Sequence, residues 1–392
     1  MKYDIIIIGA GPAGLSFARS MAETNLNILL LEKQPKSTLA SPPYDGREIA
    51  LTHLSHQIMN KLGMWELIPD QNISLIKKAK VLNGTSPYAL NFDHEEAGEQ
   101  NLGFMIANQS IRKAAYESLA GFKNIQITTE AEVSSLGTDD NKGWIELSDG
   151  KRLEAPLIVA ADSRFSAMRR MMGISTSMLD FGRTCVVCTM SIEAPHNDTA
   201  YECFHFGRTL AILPMNGNQV SVVITLKSEE DSDLLGMSAS QFSADIEKRI
   251  EGKFGKMGLT SKLFPYPLVA TLAKTFHKNR FVLIGDAAVG MHPVTAHGFN
   301  LGLRGANTLA DAIKSAISTG NDFASQEVLQ QYSRTHRRTC APLYHGTNAL
   351  VHLYTKETPA AKLARRVLLR LGNRIQPAKQ LIMNQLTDKT AA

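Results

Sequence analysis

Six residues near the amino terminus constrain this chain more than any others. Gly9-Ala10-Gly11-Pro12-Ala13-Gly14 follows directly on the β-branched run Ile5–Ile8. A continuous apolar run of that kind reads as a strand buried on both faces, the habit of parallel sheets. Pro12 to Glu23 then carries helical spacing, with Leu15, Ala18 and Ala22 on one side, and Asn27–Leu31 is a second apolar strand ending at Glu32. Strand, glycine turn, helix and strand in that order imply a parallel sheet with a right-handed crossover. In the G-x-G-x-x-G spacing, Gly9 permits the tight turn. Gly11 lets the backbone approach a pyrophosphate, and Gly14 lets helix and strand pack closely. The helix N-terminus offers unpaired N–H groups and a partial positive charge to the phosphates. Glu32 can accept hydrogen bonds from a ribose hydroxyl, and an acid there points to FAD or NAD rather than NADP. Ala13 in the turn and Lys33 beside Glu32 belong to the same expected contact set.

Composition agrees with a folded enzyme-sized chain. At roughly 150 residues per domain, 392 residues predict two or three domains. Apolar residues at 44% and charged residues at 20% exclude a disordered chain. Four cysteines exclude a disulfide-stapled secreted scaffold and fit a reducing cytosol, so a cytoplasmic location is expected. No apolar run approaches the ~20 residues needed to cross a bilayer. No signal peptide is expected either, since Asp4 precedes the short run and no small-residue cleavage site follows it. The net charge of +5 is concentrated: from His345 to Ala392, eight Lys and Arg face two acids. A nucleic-acid binder would show a broader basic face and a recognisable module, so nucleic acid is not an expected partner.

Farther along, Arg47–Leu67 reads as helical with a stop near Gly63, and Asn108–Leu119 as another helix. Val81–Asn101 is polar with short strand-like pieces. Strands and turns fill Ile125–Ala161. Thr184–Glu193, Tyr201–Phe206, Thr209–Pro214 and Gln219–Leu226 alternate like antiparallel strands, with turns such as Asn216-Gly217. Ser238–Lys248 reads as a helix, and no internal repeat or low-complexity linker interrupts the chain. The pattern predicts an α/β protein: a Rossmann-like nucleotide-binding domain built from residues 1–75, 101–180 and 272–340, an inserted antiparallel-sheet domain from 76–100 and 181–271, and a helical C-terminal region, 341–392.

A second constellation lies downstream. Phe281-Val282-Leu283-Ile284-Gly285-Asp286-Ala287-Ala288 is a buried strand ending in Gly-Asp, and Met291-His292-Pro293-Val294-Thr295-Ala296-His297-Gly298-Phe299-Asn300-Leu301-Gly302 follows. Asp286 can hydrogen-bond a polyol hydroxyl. A helix opening near Gly298 can aim backbone N–H groups at a reduced flavin's negative edge. The alternative is a tight structural turn with a buried Asp.

These three motifs together resemble the flavin-dependent aromatic hydroxylases of the p-hydroxybenzoate hydroxylase fold. Asp45-Gly46-Arg47-Glu48-Ile49-Ala50-Leu51-Thr52, Leu62-Gly63-Met64-Trp65, and His292-Pro293 running to Gly302 are similar to the Ubi-type ubiquinone-biosynthesis hydroxylases. The likeness extends to about residue 340. It implies that Gly9, Gly11, Gly14 and Glu32 hold the adenosine half of FAD, and that Arg112 contacts the phosphate and ribitol region. It further implies that Val133 meets the adenine through its backbone and that Asp162 belongs to the cofactor loop. Asp286 would bind the ribitol, the Gly298, Phe299 and Asn300 amides would face the isoalloxazine, and Arg47 would lie on a mobile segment near it. Pro293 would stand in the loop at the flavin.

The resemblance also implies a monooxygenase that uses NAD(P)H as a transient co-substrate and O2 as oxidant. Oxygen would pass through a flavin C4a-hydroperoxide to the ring of a polyprenyl phenol. A same-fold enzyme with another reaction, such as prenyl reduction or hydroxylation of a soluble aromatic, stays open, as does a non-catalytic FAD-binding subunit. His297 is a candidate proton relay, with a loop-stabilising histidine as the alternative.

The chain departs from the family pattern at four places. Asp162-Ser163-Arg164-Phe165-Ser166-Ala167-Met168-Arg169 lacks the usual glycine after the Asp. Val289 replaces a usual His, Thr295-Ala296-His297-Gly298 replaces an Ala/Gly-Gly-Gln-Gly loop, and Gly305 stands where an Asp is usual. These departures bear on regiochemistry and substrate choice rather than on cofactor identity, and they mark a divergent branch.

Three further features need weighing. Cys185 and Cys188, with Cys203 and His205 nearby in sequence, suggest a metal or redox pair. Residues three apart on a strand point to opposite faces, so no metal site is expected. Phe204, Phe206, Leu213 and Pro214 are candidates for lining a hydrophobic substrate pocket, although a stripe of this kind also serves as core. Pro359–Leu386 interleaves Leu363, Val367, Leu368 and Leu371 with Arg and Lys, a pattern suited to anionic lipid, a biosynthetic partner, or packing on the main body. Oligomeric state is not readable.

Overall fold

The apolar runs assemble as a six-stranded sheet in the order His277–Lys278, Phe281–Leu283, Leu157–Ala160, Ile5–Ile8, Ile28–Leu31, Ile125–Thr128. In this computed structural model, residues 2–83, 89–205, 208–293 and 297–355 are described. All strands but the first edge pair in parallel, with Ile5 opposite both Leu157 and Ile28. Every residue of Ile5–Ile8 and Leu157–Ala160 is buried, as continuous β-branched and aliphatic runs require in a parallel sheet. Helix Pro12–Met21 starts with Pro at its first position, where a missing N–H does no harm. It packs against the long helix His297–Ser318.

The second large sheet has nine strands and is mostly antiparallel. Its order is Val289–Gly290, Phe264–Ala273, Thr176–Ile192, Gln219–Lys227, Arg208–Met215, Thr199–His205, Lys78–Asn83, Ala89–Asp93, with Met257–Leu259 also on Thr176–Ile192. Strand Thr176–Ile192 is continuous across the position where the sequence reading changes domain. The period of two sorts its side chains. Val186, Cys188, Cys203, Ile212, Val222 and Ile224 form an outer core with Phe242 and Ile246. Phe242 and Ile246 come from helix Ala239–Arg249, whose start is a Ser238/Gln241 capping box. The inner face carries Cys185, Val187, Val223, Phe264 and Tyr266, and farther along Ala79, Val81, Ala200 and Leu213.

A three-stranded sheet, Glu48–Leu51, Gly103–Ala107 and Ile73–Ile76, faces that inner surface through Ala50 and Met105. Here the expected helix from Arg47 gives way to a strand. Its ladder partner, Gly103–Ala107, comes from far along the chain, and pairing overrides local spacing. Thr52 then caps helix His53–Lys61 by accepting a hydrogen bond from the Ser55 N–H at 3.3 Å. Helix Gln326–Thr355 closes the described chain and is pinned by Tyr332 Oη donating to the Leu283 carbonyl at 2.9 Å. The basic segment Pro359–Leu386 lies outside the described residues, as do Phe206 and 294–296. Among the described residues, no helix is long and apolar enough to cross a membrane.

Candidate active site

The amino-terminal glycines are used as their spacing demands. A Cβ on Gly14 would stand 2.0 Å from the Gly9 carbonyl oxygen, and one on Gly9 would stand 2.5 Å from the Ala161 oxygen. Gly9 also sits at φ +107°, in the region glycine favours. Gly11 differs: a Cβ there meets no atom within 4 Å, so its missing side chain leaves open space rather than relieving a contact. Glu32 lies against the turn. Its Oε2 accepts from the Ala10 N–H at 2.8 Å and its Oε1 from the Gln34 N–H at 2.9 Å. The Ala131 N–H donates to the Glu32 carbonyl at 3.0 Å, which brings buried Val133 to the same edge. Lys33 is exposed.

Asp286 reaches this turn from the other end of the chain. Gly285, at φ +60°, approaches so closely that a Cβ would lie 2.8 Å from the Ala13 Cβ. Asp286, partly exposed, pairs with Arg164 at 3.3 Å, and Arg164 also donates to the Val269 carbonyl at 2.8 Å. Asp162 borders the turn. Its Oδ2 accepts from the Met168 N–H at 3.4 Å, while its buried Oδ1 has no hydrogen-bond partner among the described residues. Arg112 is half-buried on helix Asn108–Glu117 and makes no ion pair among the described residues.

Sequence reasoning missed a fully buried cation. Arg169 is 1% exposed, and donates from Nη1 to the Ala287 carbonyl at 2.7 Å and from Nη2 to the Arg164 carbonyl at 3.0 Å. Ser166 caps its short helix, accepting from the Arg169 N–H at 2.9 Å. Ser166 and Arg169 of the middle motif, an N-cap residue followed three positions later by an arginine, are the signal in the sequence.

The predicted flavin loop is partly described. Helix His297–Ser318 begins where expected, and a Cβ on Gly298 would meet nothing within 4 Å. Phe299 packs on the main core and Pro293 is exposed. Asn300 has a second task. Its Nδ2 donates to the Ala50 carbonyl at 2.9 Å, and its Oδ1 accepts from the Ser55 hydroxyl at 2.7 Å and the Thr52 N–H at 3.1 Å. It thereby ties the helix to the Glu48–Leu51 strand. His297 is half-buried at the helix start. Buried His292 packs edge-on to Phe181 at 4.8 Å, and burial, with Arg164 and Arg183 nearby, pushes its pKa down to about 4.

The Asp45–Glu48 stretch touches the roof sheet, where Tyr266 Oη donates to the Asp45 carbonyl at 2.7 Å. Arg47 holds Asp45 by Nε at 3.1 Å and Nη2 at 2.6 Å, and stands 5.5 Å from the Tyr266 ring centre. Burial opposes ionisation of Asp45, yet Arg47 and Asn108 keep its carboxyl below the usual range. Burial pushes the neighbouring Glu48 up to about 7, and Tyr44 Oη donates to it at 3.4 Å.

On the roof, Phe204 is buried on the inner strand face, and Leu213, like Ala50 and Ala200, packs against the cluster of Ile76, Phe92 and Met105. Pro214 is a correction. It stands opposite Val220, a member of the outer core, because adjacent strand residues cannot share a face. Cys185 and Cys188 likewise separate into the inner and outer cores. Burial pushes both thiols up to about 12, the reverse of a ligand or reactive thiolate.

One departure now has a physical reason. A Cβ on Gly305 would lie 2.5 Å from Nε2 of His336, whose ring fills that space and stacks on Tyr332. No side chain fits beside it.

Comparison with known proteins agrees with this geometry. The FAD binding domain family model matches residues 2–344. The chain belongs to that family. It is 47% identical over 98% of its length to ubiquinone hydroxylase UbiM of Neisseria meningitidis, covering 84% of that protein. It is 31% identical over 97% of its length to ubiquinone hydroxylase UbiL of Rhodospirillum rubrum, covering 88% of it. The crystal structure of p-nitrophenol 4-monooxygenase from Pseudomonas putida superposes with a TM-score of 0.78 at 17% identity, covering 98% of both chains. The fold is that of the p-hydroxybenzoate hydroxylase type. For a member of the FAD-binding family, the open face at Gly11 and the orphaned Asp162 Oδ1 are features that fit the dinucleotide.

Proposed function

We propose that this chain is an FAD-dependent monooxygenase hydroxylating the aromatic ring of a polyprenylated phenol in ubiquinone biosynthesis, with NAD(P)H as transient reductant and O2 as oxidant. The observation that carries the reading is the approach of Gly285 to Ala13, which joins the two ends of one cofactor cradle. The 47% identity to a ubiquinone hydroxylase supports the substrate class. In this reading residues 1–75, 101–180 and 272–340 hold the cofactor, and 76–100 with 181–271 roof the substrate.

Bound there, FAD supplies the oxygen activation that amino-acid side chains lack. The chain's own residues do the rest. N–H groups at the opening of helix Pro12–Met21 hold the pyrophosphate, and Glu32 exchanges backbone hydrogen bonds for a ribose hydroxyl. Asp286 takes the ribitol, with Arg164 holding the carboxylate in place. The N-terminus of helix His297–Ser318 directs a partial positive charge toward the cofactor ring, favouring negative charge there. Phe204 and Leu213 offer an apolar lining for the aromatic ring and exclude water.

Purified chain incubated with NADPH and a short-chain prenylphenol tests the proposal. A product heavier by one oxygen supports it. A product heavier by two hydrogens makes the chain a prenyl reductase, and NADPH left unconsumed with every prenylphenol removes the catalytic reading.

A further inference from the structure

On the inner face of the roof sheet, one acid, Glu202, has no side-chain partner among the described residues. On strand Thr199–His205, Tyr201 and Cys203 turn outward into the core beneath helix Ala239–Arg249, so Ala200, Glu202 and Phe204 turn inward. Register places Glu202 between Ala211 on one neighbouring strand and Val81 on the other. Its nearest neighbours on that face are Val81, Ala200, Phe204 and Ala211, all apolar, with Thr209 opposite Phe204 beyond them. Glu202 is half-buried and makes no hydrogen bond or ion pair among the described residues. The titratable groups near it are two thiols, Cys185 from strand Thr176–Ile192 and Cys203 on its own strand. No cation faces it.

A carboxyl in such a place weakens the fold. Burying one without a partner costs several kcal/mol or forces protonation, and an aliphatic residue would pack there without penalty. Burial pushes this carboxyl up to about 8, which sets it to hold or release a proton near neutrality. Other acids near the site, Asp45, Glu48 and Asp286, have side-chain partners. Glu202 differs in having no such partner among the described residues.

We propose that Glu202 is the group that receives the ring hydroxyl of the substrate phenol and positions the ring beneath the roof sheet. This rests on the prenylphenol reading above and adds the point of attachment. The carboxylate accepts the phenolic O–H. When the proton crosses, the phenol O–H bond breaks, a carboxyl O–H bond forms, and the bonding pair stays on the phenolate oxygen with no oxidation or reduction. The phenolate raises electron density at its ortho and para carbons, which favours attack by an electrophilic oxygen. Phe204, two residues along the same face, gives the ring an apolar wall.

The test compares a 2-prenylphenol with its O-methyl ether, using FAD-loaded wild type, Glu202→Gln and Glu202→Asp. Ligand binding is read from the flavin absorbance change, and turnover from product mass. Wild type should prefer the phenol to the ether by tenfold or more, and kcat/KM for the phenol should rise with pH through an apparent pKa near 8. Glu202→Gln should lose both the preference and the pH step at unchanged FAD content, and Glu202→Asp should recover part of the preference. A Glu202→Gln enzyme keeping the wild-type preference and pH profile overturns this role while leaving the prenylphenol reading intact. If the Gln variant fails to fold, a wild-type profile flat between pH 6.5 and 9.5 overturns it equally. A wild type whose flavin spectrum ignores every prenylphenol removes both.

Discussion

Replacing Gly11 and Gly14 separately by alanine should divide two functions of one turn. At Gly14 the new methyl group would lie 2.0 Å from the Gly9 oxygen, where ordinary contact begins at 3.4 Å, and backbone cannot swing aside. Helix Pro12–Met21 must therefore retreat by roughly 1.4 Å from the Ile5–Ile8 strand, an overpacking that costs about 1–3 kcal/mol. The better helix propensity of alanine returns at most ~1 kcal/mol. The net loss, up to about 2 kcal/mol, lowers the apo-protein Tm by up to ~2–3 °C, and FAD affinity falls as the helix N–H groups move off the phosphates. Gly11 contrasts with it. Its φ of −72° and ψ of 175° suit alanine, and its Cβ would touch nothing. Gly11→Ala should melt within about 1 °C of wild type, because no native contact is disturbed. Its methyl group occupies the approach of the pyrophosphate, so FAD Kd should rise at least tenfold, about 1.4 kcal/mol. Apo-protein melting and FAD fluorescence titration read the two quantities independently. A Gly11→Ala protein that binds FAD as tightly as wild type would refute the placement of the pyrophosphate over this turn.

Three other outcomes follow from the same geometry. Gly305→Ala drives a methyl group into the buried His336 ring, and urea unfolding should show a loss of about 1–3 kcal/mol with FAD affinity unchanged; an unaltered midpoint contradicts the packing argument. Burial, with Arg304 nearby, pushes His336 down to about 4, so the unfolded chain takes up its proton first as pH falls below 6.5. The stability it loses between pH 6.5 and 4, up to about 3 kcal/mol, should be absent in His336→Gln when unfolding is measured across that range. Glu48 has the opposite sign: its folded pKa is raised to about 7, so stability is full below pH 4.5 and falls as pH rises through 7. Glu48→Gln should therefore gain on wild type by ~1–3 kcal/mol at pH 8 and not at pH 4, and a constant difference would rule this out.

What the sequence determined by itself was local and periodic. Ile5–Ile8, the three glycines and Glu32 lie within one supersecondary unit, so their spacing alone specifies a strand, a turn, a helix and the edge where a ribose can bind. Gly285-Asp286 was legible for the same reason, as a buried strand ending in a turn. The period of two separated Cys185 from Cys188 without knowledge of any partner strand. Tertiary structure decided whatever depends on a neighbour distant in sequence. Glu48–Leu51 became a strand because Gly103–Ala107 pairs with it, and Arg169 is a buried strut because the Ala287 carbonyl arrives 118 residues later. Gly305 accommodates His336, a ring from the following helix. Pro214 faces the outer core and Glu202 the inner face, because register across neighbouring strands fixed which face each occupies. Local patterns give a residue's chemistry and its alternation. They do not give its partners, because a hydrogen bond or a contact depends on a distance that the fold alone sets.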